Sequence, residues 1–242
     1  MEKMFRKITA EAADLLFPRR CPVCFDIVQP RGELICPGCV KKLSIVKNPV
    51  CKKCGKAVEH ERLEYCLDCS RHRRSFEYNL AVFEYNDCAS RSMAAVKYKN
   101  KREFLDFYGE AAWARFEKRL VRMNLQAVAP VPVHPGRRRT RGFNQAEILA
   151  EKLAARLKAP LCPDALRRVK KTAPQKELDP SQRLKNLEKA FEPGKLPPGA
   201  ERVLLVDDIY TTGSTLEACA RILISMGAEK VFTLTLFVGR GA

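Results

Sequence analysis

Asp207 and Asp208 close an apolar run, and the hydroxyl-rich turn Thr211, Thr212, Gly213, Ser214, Thr215 follows almost at once. The run Val203 to Val206, two leucines between two β-branched valines, is short and apolar, as expected of a strand buried on both faces of a parallel sheet. Beyond the turn, Leu216, Cys219, Leu223 and Met226 recur at helical spacing, and Gly227 stands where a left-handed cap would end the helix. A second strand, "KVFTLTLFV", comes next. Strand, turn and helix in that order put the turn at the carboxyl end of a parallel strand, the usual ligand position in open α/β sheets. The amides at a helix start, with the hydroxyls around them, suit a phosphate, and Gly213 lets it come close to the backbone. The two carboxylates suit vicinal sugar hydroxyls, directly or through a magnesium shell. Phosphate at one end and diol at the other describe a ribose 5-phosphate; the plainer alternative is a surface acid pair beside an ordinary helix cap.

A second unit repeats the pattern. "AVAPVPVHPGRRRTRGFNQAEILAEKLAARL" begins as an apolar strand, passes through Arg137, Arg138, Arg139 and Arg141, and becomes a helix with a stripe of Ala146, Leu149, Leu153 and Leu157. An arginine-rich loop in that place suits a second anionic group such as a diphosphate, because guanidinium forks match phosphate oxygens. A solvated or nucleic-acid-facing arginine run is the alternative. A third segment, around 167–192, has few apolar residues. It is expected to form a mobile lid whose Gln175, Arg183 and Asn186 close over bound substrate; a plain surface excursion is the alternative.

Eight of the eleven cysteines are ordered in four C-x-x-C pairs: Cys21 and Cys24, Cys36 and Cys39, Cys51 and Cys54, Cys66 and Cys69. Each pair is separated from the next by eleven residues. Two such pairs complete one tetrahedral zinc site, so four pairs predict two structural zinc ions. The even spacing serves sequential pairing, giving tandem zinc ribbons, and an interleaved cross-brace equally well. Cys88, Cys162 and Cys219 stand apart, the last on the apolar face of its helix.

The chain has 242 residues and a composition shift near residue 75, which favours two domains: a cysteine-rich region over 1–75 and a larger α/β domain over 76–242. No apolar run approaches the ~20 residues of a membrane helix, and acids interrupt the start, so the expected location is cytoplasmic. Met4, Ile8, Ala12 and Leu15 could form one face of a short amphipathic helix. The formal charge is +17; eight thiolates and two divalent ions would bring it to about +13. So basic a balance favours polyanions, nucleic acid among them.

"VLLVDDIYTTGST" resembles the phosphoribosyl pyrophosphate (PRPP) signature of type I phosphoribosyltransferases. That resemblance implies that Asp207 and Asp208 contact ribose hydroxyls and that Thr211 to Thr215 hold the 5-phosphate. Together with "LLFPRRCPVC", "VKYKNKREF", "VPVHPGRRRTRGFNQAE" and "RVKKTAPQKELDPSQRLKNLEKAF", it makes the chain similar, nearly end to end, to the competence protein F (ComF) family. Members join a zinc-ribbon region to a phosphoribosyltransferase-like domain and are linked to uptake or use of external DNA. The resemblance implies Lys97 and Lys99 as basic positions near the cleft, and Arg141, Gly142, Asn144 and Gln145 as the most distinctive loop motif. The expected function is a phosphoribosyltransferase-like protein that binds magnesium-PRPP and acts in DNA uptake, alongside other DNA-uptake proteins. The alternative is a non-catalytic adaptor for single-stranded DNA that keeps the PRPP-binding fold.

Overall fold

The computed structural model describes residues 17–169 and 189–239. Gln175, Arg183 and Asn186, and the proposed helix carrying Met4 to Leu15, lie outside those residues.

Two short helices, α1 (Pro37–Val40) and α2 (Leu67–Arg71), belong to the cysteine-rich region. They are followed by β1 (Asn79–Glu84), α3 (Asp87–Tyr98), α4 (Phe104–Arg122), β2 (Ala127–Pro130), α5 (Pro135–Arg141), α6 (Gln145–Leu157), β3 (Leu166–Arg168), β4 (Phe191–Pro193), β5 (Arg202–Tyr210), α7 (Ser214–Ser225) and β6 (Lys230–Val238). The central sheet has the order β1-β6-β5-β2 and every pairing in it is parallel. β3 and β4 form a small antiparallel pair. The expected α/β architecture is present, a parallel sheet flanked by helices with a cysteine-rich N-terminal region.

Alternation along the strands divides the core in two. Leu204 and Val206 of β5 pack with Leu234, Val128 and helices α3, α4 and α6, while Val203 and Leu205 pack with Val231, Ala129 and α7. The cysteine-rich region contributes to both layers. Cys21, Val23, Val28 and Leu43 join the first, and Cys51, Cys54 and Phe76 join the second. Between them, residues 44–46 run along the open edge of β1, with Glu84 N–H donating to Ser44 O at 2.7 Å and Val46 N–H to Val82 O at 3.1 Å. That connection covers an edge that would otherwise expose unpaired backbone groups. Asn79 pins the strand to the second cysteine site: its side-chain amide donates to Cys54 O and to the Thr235 hydroxyl, both at 3.0 Å, and its carbonyl oxygen accepts from the Thr233 hydroxyl at 2.9 Å.

The arginine run differs from its expected loop form, because Pro135–Arg141 is a helix. Pro135 fixes the first turn, the His134 ring nitrogen accepts from Gly136 N–H at 3.1 Å, and Gly142 ends the helix at φ 80°. These ends bound a run of arginines, which themselves favour helix.

Candidate functional site

The two acids lie near the carboxyl end of β5, which continues through them to Tyr210, beyond the apolar run that marked the strand. Asp208 is buried, 5 % exposed, and Asp207 is half-buried. Asp208 forms an ion pair with Lys97 of α3 and accepts from the Gln145 side-chain amide at 3.0 Å. Its own N–H donates to the Asp207 carboxylate at 2.8 Å. Burial pushes Asp208 up, but the Lys97 ammonium and the Gln145 amide more than offset it and hold the carboxyl below the usual range. Burial and the charge on Asp208 push Asp207 well above that range. The two carboxyls are therefore shifted in opposite directions.

The distinctive loop motif positions this arrangement. Asn144 caps α6 by accepting from Ala146 N–H at 3.1 Å, and its amide donates to Val131 O at 3.0 Å. That fixes Gln145, the first residue of α6, against Asp208. Arg141 donates to the other end of the same side chain, the Gln145 carbonyl oxygen. Gly142 supplies the left-handed turn between α5 and α6. Lys97, Arg137 and Arg141, with Tyr98, Asn100, His134, Gly136 and Thr140, line a cleft of about 540 Å³. Arg138 instead pairs with Glu147 at 2.7 Å, and Arg139 and Lys99 are exposed outside that lining. Tyr98, 79 % exposed with its ring 5.9 Å from the Arg141 guanidinium, is a member of the cleft that lies in the family-like stretch "VKYKNKREF" without being named among its site residues.

The hydroxyl-rich turn leads into α7. Gly213 is its N-cap at φ 75°, and a Cβ there would lie 2.2 Å from the Tyr210 hydroxyl, so only glycine fits. Thr212 and Ser214 place their hydroxyls 3.0 Å apart, while Thr211 is exposed and Thr215 half-buried. Gly213 offers no side chain to cap the helix, and Ser214 N–H reaches only the Thr212 hydroxyl, at 3.5 Å, so the start of α7 suits an anion. The supports under this turn, Arg74 and Glu217, carried no recognisable signal beyond Glu217 being the one acid of α7.

The eight paired cysteines gather sequentially. Cys21, Cys24, Cys36 and Cys39 form one group and Cys51, Cys54, Cys66 and Cys69 the other, and in each the four sulfurs lie within 4.8 Å of one another. None of them forms a disulfide. Tetrahedral zinc with bonds of about 2.3 Å needs sulfurs roughly 3.8 Å apart, and Cys54 and Cys66 stand at 3.6 Å. In the second group, hydrogen bonds from Cys54 and Cys69 pull the Cys51 thiol down, while their sharing with Cys51 pushes Cys54 up and Cys69 up to about 12. A divalent cation would take all four as thiolate ligands. Both groups fit structural zinc. Of the other cysteines, Cys162 and Cys219 are buried and Cys88 is half-buried.

Comparison with known proteins agrees with both halves. The family described as double zinc ribbon domain matches residues 12–70, and the phosphoribosyl transferase domain family matches residues 143–242. Competence protein F of Haemophilus influenzae is 29% identical over 225 residues, covering 89% of this chain and 95% of its own. Competence protein ComFC of Bacillus subtilis is 30% identical over 211 residues, covering 84% of each. The DNA utilization protein YhgH of Escherichia coli K12 is 28% identical over 200 residues, covering 81% of this chain and 87% of its own. With two cysteine tetrads, a parallel sheet carrying the acid pair at its carboxyl edge, and likeness running almost end to end, the chain belongs to the competence protein F family.

Proposed function

We propose that this chain binds magnesium-PRPP across the carboxyl edge of its sheet and transfers the phosphoribosyl group to a nitrogen acceptor, in the service of DNA uptake or use. The observation that carries this reading is the chain of contacts Lys97–Asp208–Gln145–Arg141, which joins the acid pair to the cation-lined cleft. In it, Asp207 and Asp208 take the ribose hydroxyls, Thr211 to Thr215 the 5-phosphate, and Arg137 and Arg141 the diphosphate. Magnesium, when bound with the diphosphate, would offset charge on the leaving group. Lys97 keeps Asp208 ionised and therefore able to accept from a hydroxyl. Departure of pyrophosphate leaves positive character at the anomeric carbon, and fixed cations around the leaving oxygens lower that barrier without reorganising.

The names of the relatives, competence and DNA utilization proteins, together with a formal charge of +17, favour a second reading: a non-catalytic adaptor for single-stranded DNA. One assay separates the two. Pyrophosphate release from magnesium-PRPP is measured with a panel of bases, amines and single-stranded DNA. Release with any acceptor supports the transferase. An inert enzyme whose affinity for a labelled oligonucleotide falls with salt, at a log–log slope near −0.7 per phosphate contacted, supports the adaptor.

A further inference from the structure

The chain leaving the second cysteine site runs directly beneath the turn 211–215. α2 carries Asp68 between the ligand positions Cys66 and Cys69, and the Asp68 carboxylate accepts from Arg74 Nη2 at 3.1 Å. The same nitrogen donates to the backbone carbonyl of Thr212 at 2.8 Å. The Arg74 side chain is only 7 % exposed, so water does not replace these partners. Ser75 gives its N–H at 2.7 Å and its hydroxyl at 2.8 Å to the two carboxylate oxygens of Glu217, a fully buried residue in the first turn of α7. Arg221 also donates to Glu217, at 2.7 Å. Phe76 meets the Tyr210 ring edge-on at 6.5 Å, and the Tyr210 hydroxyl lies against Gly213. Three consecutive residues thus tie the turn to the helix that presents two of the four sulfurs. Charge-assisted bonds of this kind, shielded from solvent, are the stronger class of hydrogen bond. Among the described residues the first cysteine site, packed on the other face of the sheet, makes no hydrogen bond to the turn.

We propose that Arg74 is a positioning residue that links the two sites: metal held by Cys51, Cys54, Cys66 and Cys69 orders the turn for an anion, and an anion in the turn retains the metal. The linkage rests on reading 211–215 as the 5-phosphate turn. A sulfur becomes open to a chelator when α2 opens locally, and opening α2 breaks the Asp68–Arg74–Thr212 strut. A ligand that orders the turn therefore opposes that opening, and by reciprocity metal at the second site favours the ligand.

The test follows zinc release from the full-length, zinc-loaded protein into a colorimetric chelator, with and without saturating magnesium-PRPP. One of the two equivalents is expected to leave about fivefold more slowly or better with magnesium-PRPP, and the other at an unchanged rate. Arg74→Gln, holding two zinc ions per chain, is expected to lose this protection and to bind magnesium-PRPP about tenfold more weakly. If Arg74→Gln does not fold, the wild-type comparison decides alone. Calorimetric binding of magnesium-PRPP with both release rates unchanged overturns the linkage and leaves the reading of the turn standing. No calorimetric binding removes that reading, and the linkage with it.

Discussion

Asp208 is held ionised against burial by Lys97 and Gln145, so its charge matters to stability as well as to ligand binding. A carboxyl whose folded pKa lies below the unfolded value of about 3.9 contributes stability above that value and loses it as pH falls through the folded pKa. Lys97→Met removes the main offset and leaves burial to dominate, which raises the folded pKa and reverses the sign. The variant should be less stable than wild type by on the order of 3 kcal/mol at pH 7, and the gap should narrow as pH falls toward about 4. Urea unfolding at pH 7 and pH 5 checks this; a gap that does not change with pH would place the Lys97 effect elsewhere. The acids were legible in the sequence because they end a strand-like run just ahead of a helix start, the usual ligand position in open α/β sheets. Their partners were legible only through family likeness. Nothing in the spacing of residues 97 and 208 says that α3 brings an ammonium to β5.

At the scale of elements, the turn before α7 is built around a missing side chain. Gly213→Ala must adopt φ near 75° and displace the Tyr210 ring, so it should cost more than the about 1–2 kcal/mol of a left-handed L-residue alone. The Tyr210 hydroxyl, in contrast, is buried with no hydrogen-bond partner among the described residues. Tyr210→Phe should therefore be neutral or stabilising, by up to about 1–3 kcal/mol, where most core truncations lose stability. Thermal unfolding of the two variants measures both, and a clear loss in Tyr210→Phe would mean that the hydroxyl is satisfied. The helices α6 and α7 could be read from their apolar periods, and β5 and β6 from their short apolar runs. α5 could not, because an arginine run carries no apolar period. Its helix is set by Pro135 and Gly142, and its side chains divide between the cleft and the surface.

For the molecule as a whole, the two cysteine sites stand on opposite faces of one sheet and share its core. The ligands themselves were plain in the sequence, down to the spacing of every pair, and even spacing left their pairing open. The structure resolves it as sequential. What the spacing could not reveal is where each ribbon packs, because that depends on Val23, Val28, Leu43 and Phe76 finding apolar faces far along the chain. Elemental analysis should find two zinc ions per chain. Chelation should lower the unfolding temperature of the whole protein in one transition, since Cys21, Cys51 and Cys54 are core residues of the sheet. A late transition at the holoprotein's temperature after chelation would mean that the sheet does not need the ribbons.

The central claim is that the carboxyl edge of β5 and the turn before α7 form one site for magnesium-PRPP. Titration calorimetry of the zinc-loaded protein, with Asp208→Ala and Thr215→Ala beside the wild type, tests it most directly. The wild type should bind, and each variant should lose on the order of 1.5–3 kcal/mol of binding free energy while keeping its zinc and its fold. No binding by the wild type, or unchanged affinity in both variants, would contradict it.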